Sequence, residues 1–394
     1  MNVQDVPRGD TPRDGHHDGD YSSVALIGEA GALLAQRRRD IPDDFLAKLF
    51  GLAVPQDLER YAAAELADIA ERSWSLLQER PAGAAKISFE RLPGKTSGAM
   101  LEIINDDMPF LVDSVLGEIN QRGLDIRLFV HPVFIVKRDA AGRLVNLKAT
   151  REVGGERESF IHIHLDGADD PEQRAELVRE VEGVLSDVRV VVQDWKPMLS
   201  RISGVIADLR SNPPPLPVDE IAEAIQFLEW LADDNFTLLG ARDYSFTAGG
   251  DALEPSFETG LGLLRAHGVR LLQRWNQPLT ITPEIRAFLE QPKLLIVTKA
   301  TIRSRVHRRV YLDYIGIKRF DRSGKIVGER RFCGLFTSTA YTRPPRSIPY
   351  LRRKIDGVIR RAGFDPASHS GKALVNVLET YPRDELFQIE EDTL

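Results

Sequence analysis

Asn105, Asp106, Asp107 and Asp113 gather one amide and three carboxyl groups in a short stretch, NDDMPFLVDSV. Pro109 and the apolar residues after it place a helix start there, with Phe110, Leu111, Val115, Leu116 and Ile119 on one face. Carboxylates at a helix start accept from its free backbone N–H groups and are favoured by its dipole. That chemistry assigns Asp106 and Asp107 to capping and Asp113 to the first turn. A turn beside free N–H groups also suits a small ligand. Asn105, Asp106, Asp107 and Asp113 are therefore the candidate effector-binding set, and no catalytic or metal-binding residue is assigned.

Other motifs stop short of a site. His162 and His164 lie two apart on a predicted strand, so they share a face. Zinc would need further ligands. His131 is on a neighbouring predicted strand, but no cysteine or tight carboxylate cluster completes a set. The pair is expected on a polar sheet face covered by helix or solvent. Cys333, in RRFCGLF, is expected as a buried structural thiol, because nothing places a base such as His307 beside it. Gly260-Leu261-Gly262-Leu263-Leu264-Arg265 lacks the third glycine of a dinucleotide fingerprint and leads into an apolar strand. Gly94-Lys95-Thr96 mimics the end of a phosphate loop, but Phe89 occupies the first glycine position, so it reads as an exposed turn.

The span Arg303–Arg361 is basic, with Arg303, Arg305, Arg308, Arg309, Arg330, Arg331, Arg352, Arg353 and Lys354. Aromatic interleaving is thin and the whole chain carries a net charge of −7. A solvated face, or docking onto acidic parts of the same protein, is favoured over nucleic acid. The single cysteine excludes an internal disulfide and fits a reducing cytoplasm. No apolar run reaches membrane-spanning length, which argues against a membrane partner.

The elements that position these groups come next. Residues 1–24 are acidic and Gly-rich and read as a disordered leader. Residues 25–82 look helical, with one helix opened by Pro42 and another over Gln56–Gln78. Residues 83–210 alternate strands and helices. The strands are Ile87–Arg91, Ala99–Ile104, Ile126–Arg138, Leu144–Thr150, Phe160–Leu165 and Val188–Gln193. The helices are Pro109–Arg122, which Gly123 ends with a left-handed stop, and one from Pro171 to Ser186. Strand, helix, strand with tight joints points to an ACT-like βαββαβ module. Residues 211–218 hold a proline run and read as a stiff linker. Residues 219–345 give a helix at Asp219–Ala232 and strands at Phe236–Phe246, Leu261–Leu264, Lys293–Lys299, Val310–Phe320 and Lys325–Thr337. A short helix is expected at Pro283–Glu290. Asp139–Gly142 and Asp321–Gly324 are expected as hairpin turns of the same chemistry. This is an antiparallel sheet with flanking helices. Residues 346–394 carry trailing helices, and the chain reads as cut off at its end. The fold class is α+β.

The phrases NDDMPFLVDSV, HPVFIVKRDAAGRL and VYLDYIGIKRFDRSGKIVGERRFCGLFTSTAY resemble the N-terminal region of the large bacterial NAD-specific glutamate dehydrogenases. The resemblance runs from about Ala25 to the C-terminus. It implies a regulatory and assembly region whose glutamate site and nicotinamide domain lie downstream in the same polypeptide. It also implies NAD as cofactor of the parent enzyme but none in this stretch, a homo-oligomer, and a PAS-like module at residues 219–345. No residue here matches the family's catalytic positions. ACT modules that bind amino acids carry glycine after the loop proline. Here Phe110 follows Pro109, which favours Phe110 as packed core. A free-standing ACT–PAS metabolite sensor without catalytic activity is the alternative reading.

Overall fold

The computed structural model describes residues 17–93, 98–147, 155–247, 252–269, 271, 293–365, 367–389, 391 and 393–394. Gly94-Lys95-Thr96, the end of the strand expected to reach Thr150 and the helix expected at Pro283–Glu290 lie outside the described residues. Contacts divide the chain into two units, Met1–Leu185 and Ser186–Leu394.

The first unit opens with helices α1 (His17–Arg37), α2 (Phe45–Phe50), α3 (Pro55–Leu58) and α4 (Ala63–Leu77). The expected leader is thus helical from His17 onward. Once Ala30 and Leu34 are buried, adding turns upstream costs little. The single helix expected over Gln56–Gln78 is broken after Leu58. The Ala62 N–H donates to the Glu65 carboxylate at 3.0 Å, which starts α4 afresh.

Beneath these helices lies an antiparallel sheet of β1 (Lys86–Arg91), β2 (Ala99–Asp106), β3 (Asp125–Val130), β4 (Val133–Arg138), β5 (Leu144–Asn146) and β6 (Glu156–Asp166). Its order is β1-β2-β6-β4-β5, with β3 also on β6. Strand β2 pairs along one edge of β6. Strands β3 and β4 take successive stretches of the other edge. Phe45, Phe50, Leu66 and Trp74 from the helices bury against Met100, Ile104, Phe134 and Phe160 of the sheet. Helix α5 (Leu111–Gln121) joins β2 to β3, and Gly123 follows it with φ 66°.

The expected closing strand Val188–Gln193 is helical. Helix α6 runs unbroken over 41 residues, Pro171–Ser211. Leu177, Val181, Val184, Leu185, Val188 and Val191 are buried at steps of three or four. That period outweighs the strand preference of the valine run. The βαββαβ order is therefore incomplete at its last strand, and the extra strand β1 comes before the unit's first helix crossover instead.

Phe110 is also placed differently. It is the N-cap of α5, half-buried, with left-handed φ 72° and ψ −3°. Ser114 holds its carbonyl by backbone N–H at 3.1 Å and hydroxyl at 2.6 Å. Phe110 therefore occupies a backbone conformation that suits glycine, at a cost of about 1–2 kcal/mol.

The second unit contains the rest of α6, then α7 (Val218–Trp230), a tight turn at Leu231–Asn235, and β7 (Phe236–Phe246), β8 (Leu253–Gly262), β9 (Leu295–Arg303), β10 (Tyr311–Phe320) and β11 (Ile326–Phe336). Helices α8 (Ser338–Thr342), α9 (Leu351–Ala362), α10 (His369–Thr380) and α11 (Arg383–Gln388) follow. The sheet is antiparallel in the order β8-β7-β11-β10-β9. The strand expected at Leu261–Leu264 is the end of β8 followed by a 3-10 turn, Leu263–Arg265. One sheet face packs Leu238, Ile315 and Phe332 against Phe227, Leu351 and Phe387 of the helices, joined by Met198, Ile202 and Val205 of α6. The boundary expected at residues 211–218 therefore differs from the contact division: the apolar stripe of α6 continues past Leu185 into this core, and Leu216 packs on it too.

Both expected hairpins have the same construction. Asp139 Oδ1 accepts from the N–H groups of Ala141 and Arg143, and Asp321 Oδ1 from those of Ser323 and Lys325. Gly142 and Gly324 both sit at φ 82°.

Because Phe110 is strained, Phe110→Gly should be more stable than Phe110→Ala by about 1 kcal/mol, although it removes the same ring. Urea unfolding of the two variants checks this; equal midpoints would remove strain from the account.

Candidate functional site

The acidic turn is built into ion pairs rather than helix caps. Strand β2 runs through Asp106, and α5 starts only at Leu111 without a side-chain cap. Asp106 accepts from Arg80 at 2.6 Å, and Asp107 from Arg157 at 2.8 Å. Asn105 is buried, while Asp113 is exposed on the first turn of α5. Arg80 is itself buried and also donates to Glu158 at 2.9 Å. Arg138 grips Glu158 through two nitrogens, at 2.7 and 2.8 Å. Glu158 thus sits between two guanidinium groups, which meets the demand that a buried charge be paired.

Deeper in the same sheet is a second polar cluster. Glu102, His162 and His164 stand on the face under the helices, as the alternation with Met100, Ile104 and Phe160 requires. The register of β2 on β6 sets Glu102 opposite His162 and Met100 opposite His164. Ser73 of α4 is 2.5 Å from Glu102 Oε1, and His162 Nδ1 is 2.9 Å from the same oxygen. His162 Nε2 lies 2.8 Å from His164 Nε2, and the Tyr61 hydroxyl 2.7 Å from His164 Nδ1. All five side chains are buried. The break between α3 and α4 is what turns Tyr61 inward.

One hydrogen assignment accounts for all four contacts. Ser73 O–H and His162 Nδ1–H donate to Oε1, His164 Nε2–H donates to His162 Nε2, and Tyr61 O–H donates to His164 Nδ1. Burial, with His162 beside it, holds the His164 pKa well below the usual histidine value. Burial pushes the Tyr61 hydroxyl up to about 12, in keeping with its role as donor.

Of the pair and its expected neighbour, only His162 and His164 come together. His131 Nε2 is instead 2.7 Å from the Ser159 hydroxyl. Among the described residues no group of three or more His, Cys, Asp or Glu side chains could hold a metal ion. Sequence reasoning missed Tyr61, Ser73, Glu102, Arg80 and Glu158. A lone acid in the apolar run AMLEII was the available signal for Glu102.

The remaining motifs are structural. Cys333 is fully buried, and burial raises its thiol to about 12. The Gly262 N–H donates to Asp194 Oδ2 at 2.7 Å, and Arg265 pairs with the same carboxylate at 2.5 and 2.6 Å. Gly260–Arg265 therefore fastens the end of β8 to α6. Much of the basic span meets acids of this chain. Arg352 binds Glu223 at 2.6 Å, Arg353 binds Asp219 at 3.2 Å, and Arg330 binds Asp243 at 2.7 Å. Lys354 is buried and donates to the carbonyls of Leu386, Phe387 and Ile389 at 2.8, 3.1 and 2.7 Å, closing the C-terminus of α11.

Two family models match the chain. Residues 45–181 match the glutamate dehydrogenase ACT1 domain, and residues 348–394 match glutamate dehydrogenase helical motif 1. A NAD-specific glutamate dehydrogenase of Halomonas elongata is 36% identical over 363 residues, covering 89% of this chain. That of Pseudomonas aeruginosa is 33% identical over 359 residues and 89% of the chain, and that of Mycobacterium tuberculosis 27% over 376 residues and 90%. The chain spans 22% of the length of each of these relatives. It matches the N-terminal region of the large NAD-specific glutamate dehydrogenase family.

The ACT1 match holds the whole cluster from Tyr61 to His164, together with Arg80, Arg138 and Glu158. The helical motif 1 match holds Lys354 and the helix end it closes. No helix among the described residues is long and apolar enough to cross a membrane.

A neutral buried histidine ties stability to pH. With its folded pKa depressed, His164 stays unprotonated in the fold while the unfolded chain takes up a proton near pH 6.5. The native state should therefore lose stability as pH falls below that value, by up to about 1.4 kcal/mol per pH unit for this group. Urea unfolding between pH 7.5 and 5.5 should show a flatter dependence in His164→Gln than in the parent; equal slopes would contradict the assignment. Tyr61→Phe orphans His164 Nδ1 and should cost about 1–3 kcal/mol at neutral pH in the same measurement.

Proposed function

We propose that this chain is the regulatory and assembly region of a large NAD-specific glutamate dehydrogenase. The longer protein converts glutamate, NAD and water to 2-oxoglutarate, ammonia and NADH, and the chemistry belongs to its downstream catalytic region. The observation that carries the reading is the alignment along 89% of this chain with relatives of that name, of which it covers 22%. The ACT1 and helical motif 1 matches support it from both ends of the chain.

The reading has finer parts. Residues 25–82 form a helical cover on an ACT-like domain that starts at residue 83, its last helix passes on into the core of a PAS-like domain at 219–345, and residues 346–394 are trailing helices. The five-stranded antiparallel sheet with helices packed on one face supports the PAS-like part. The enzyme works in the cytoplasm as a homo-oligomer with NAD in its catalytic region. A small effector would be met at Asn105, Asp106, Asp107 and Asp113, where Asp113 is the exposed member.

The purified chain, incubated with glutamate and NAD, should form no NADH above a heat-killed control. Removal of residues 1–394 from the longer enzyme should change its oligomeric state or its response to effectors. NADH formation by the chain alone, or an unaltered enzyme after the deletion, would overturn the proposal.

A further inference from the structure

The first unit holds a cleft of about 730 Å3 between α4 and the paired strands β1 and β2. That is the volume of a small-molecule site. Its walls include Arg72 and Ser75 of α4 and Lys86, Ser88 and Glu90 of β1, and Glu102 of β2 is at its inner side. The outer charges are already balanced. Arg37 and Arg38 pair with the lining acids Asp68 and Glu71, and Arg72 lies 3.7 Å from Glu90. Lys86 Nζ donates to the carbonyls of Leu76 and Glu79 at 2.8 and 2.7 Å.

Glu102 is different. It is 1% exposed, and both of its hydrogen bonds, from Ser73 and His162, end on Oε1. Among the described residues no donor reaches Oε2, and no lysine or arginine pairs with this carboxylate. The base beside it is the His162 imidazole, 2.9 Å from Oε1 and a counter-charge when protonated. A cation that arrives from the cleft reaches the one carboxylate oxygen that no donor among the described residues holds.

We propose that this cleft binds a small molecule through a protonated amino group, which donates to Oε2 of Glu102. An ammonium has three donors, so two remain for oxygen acceptors on the walls. Ser88 stands directly opposite Glu102 in the β1–β2 register, and Ser75 lines the cleft from α4. An anionic head group is rejected by the same carboxylate. Because Glu102 also holds His162, an occupied cleft is felt along the chain Glu102–His162–His164–Tyr61. The inference stands on this chain's own geometry and does not depend on the enzyme reading.

The test titrates the 394-residue chain with ethylammonium, L-alanine and propionate, by calorimetry and by NMR of the histidine rings. At least one ammonium probe should bind and shift the His162 ring signals, and propionate should do neither. Binding of ethylammonium without alanine marks a simple amine site, and binding of alanine marks an amino-acid site; both support the proposal. Glu102→Gln should weaken binding at least about tenfold, as loss of a charge-assisted hydrogen bond does. Ser75→Trp, at an exposed helix position, should fill the cleft and abolish binding while the histidine signals of the empty protein persist, which separates a blocked site from an unfolded one. Silence of both ammonium probes at about 100 mM, a hundredfold above a millimolar site, would overturn the proposal. So would equal binding of propionate, or undiminished binding in Glu102→Gln.

Discussion

A carboxylate and two imidazoles are buried on one face of the first sheet, and the core around them has to supply their hydrogen-bond partners. This requirement reaches most of the unit. It favours one register of β2 on β6, because a slip by one residue would put Glu102 and His162 on opposite faces. It places a serine on α4 at a buried position otherwise lined by Leu66, Ala70 and Leu77. It also explains why the helical cover is interrupted ahead of α4, since Tyr61 leaves helix geometry to reach His164 at 2.7 Å. Phe50 and Phe160 then close the apolar side, with ring centroids 5.5 and 6.1 Å from that of His162.

The second unit uses the same logic with other residues. Asp313 is buried at the start of β10, where burial raises its pKa, yet Lys299 lies 2.6 Å away and the Phe336 N–H donates to it at 3.0 Å. Lys299 reaches on to Asp384 of α11 at 3.1 Å, and Tyr341 donates to the same carboxylate at 2.9 Å. On the other sheet face Tyr314 bonds Glu329, and Arg331 lies over the Tyr244 ring. Gly316 leaves the room that the Glu329 carboxylate takes up. Buried charge is thus paired across neighbouring strands, and the helices of the family-matched C-terminal stretch are tied to the sheet through Asp384.

The sequence was most readable where structure is local. Strand β7 and both hairpin turns follow from alternation and Asp–Gly chemistry, and Gly123 stops its helix as a left-handed glycine should. The histidine pair shares one face, because a two-residue spacing leaves no alternative within a strand, and the structure buries that face. What could not be read depends on distant partners. Tyr61 meets a residue 103 positions away, and Arg80 one 78 positions away. The acids at 106 and 107 looked like caps because their arginines are invisible to local pattern. The valine run at 188–192 misled for another reason: local strand preference competed with a helical period that only the whole stretch from Leu177 to Leu209 makes clear. Phe110 misled because its ring suggested packing while its backbone took the conformation of a glycine.

Helix α6 has one further property. A helix resists bending as long as every rung of its hydrogen-bond ladder is closed. Pro197 is exposed and lies inside it, between the Asp194 that holds Arg265 and the buried Met198. Its ring nitrogen has no hydrogen to offer the carbonyl of Gln193, so one rung is missing there. The helix therefore has least hydrogen bonding to resist bending at this exposed point, one turn from the Asp194 that anchors the end of β8.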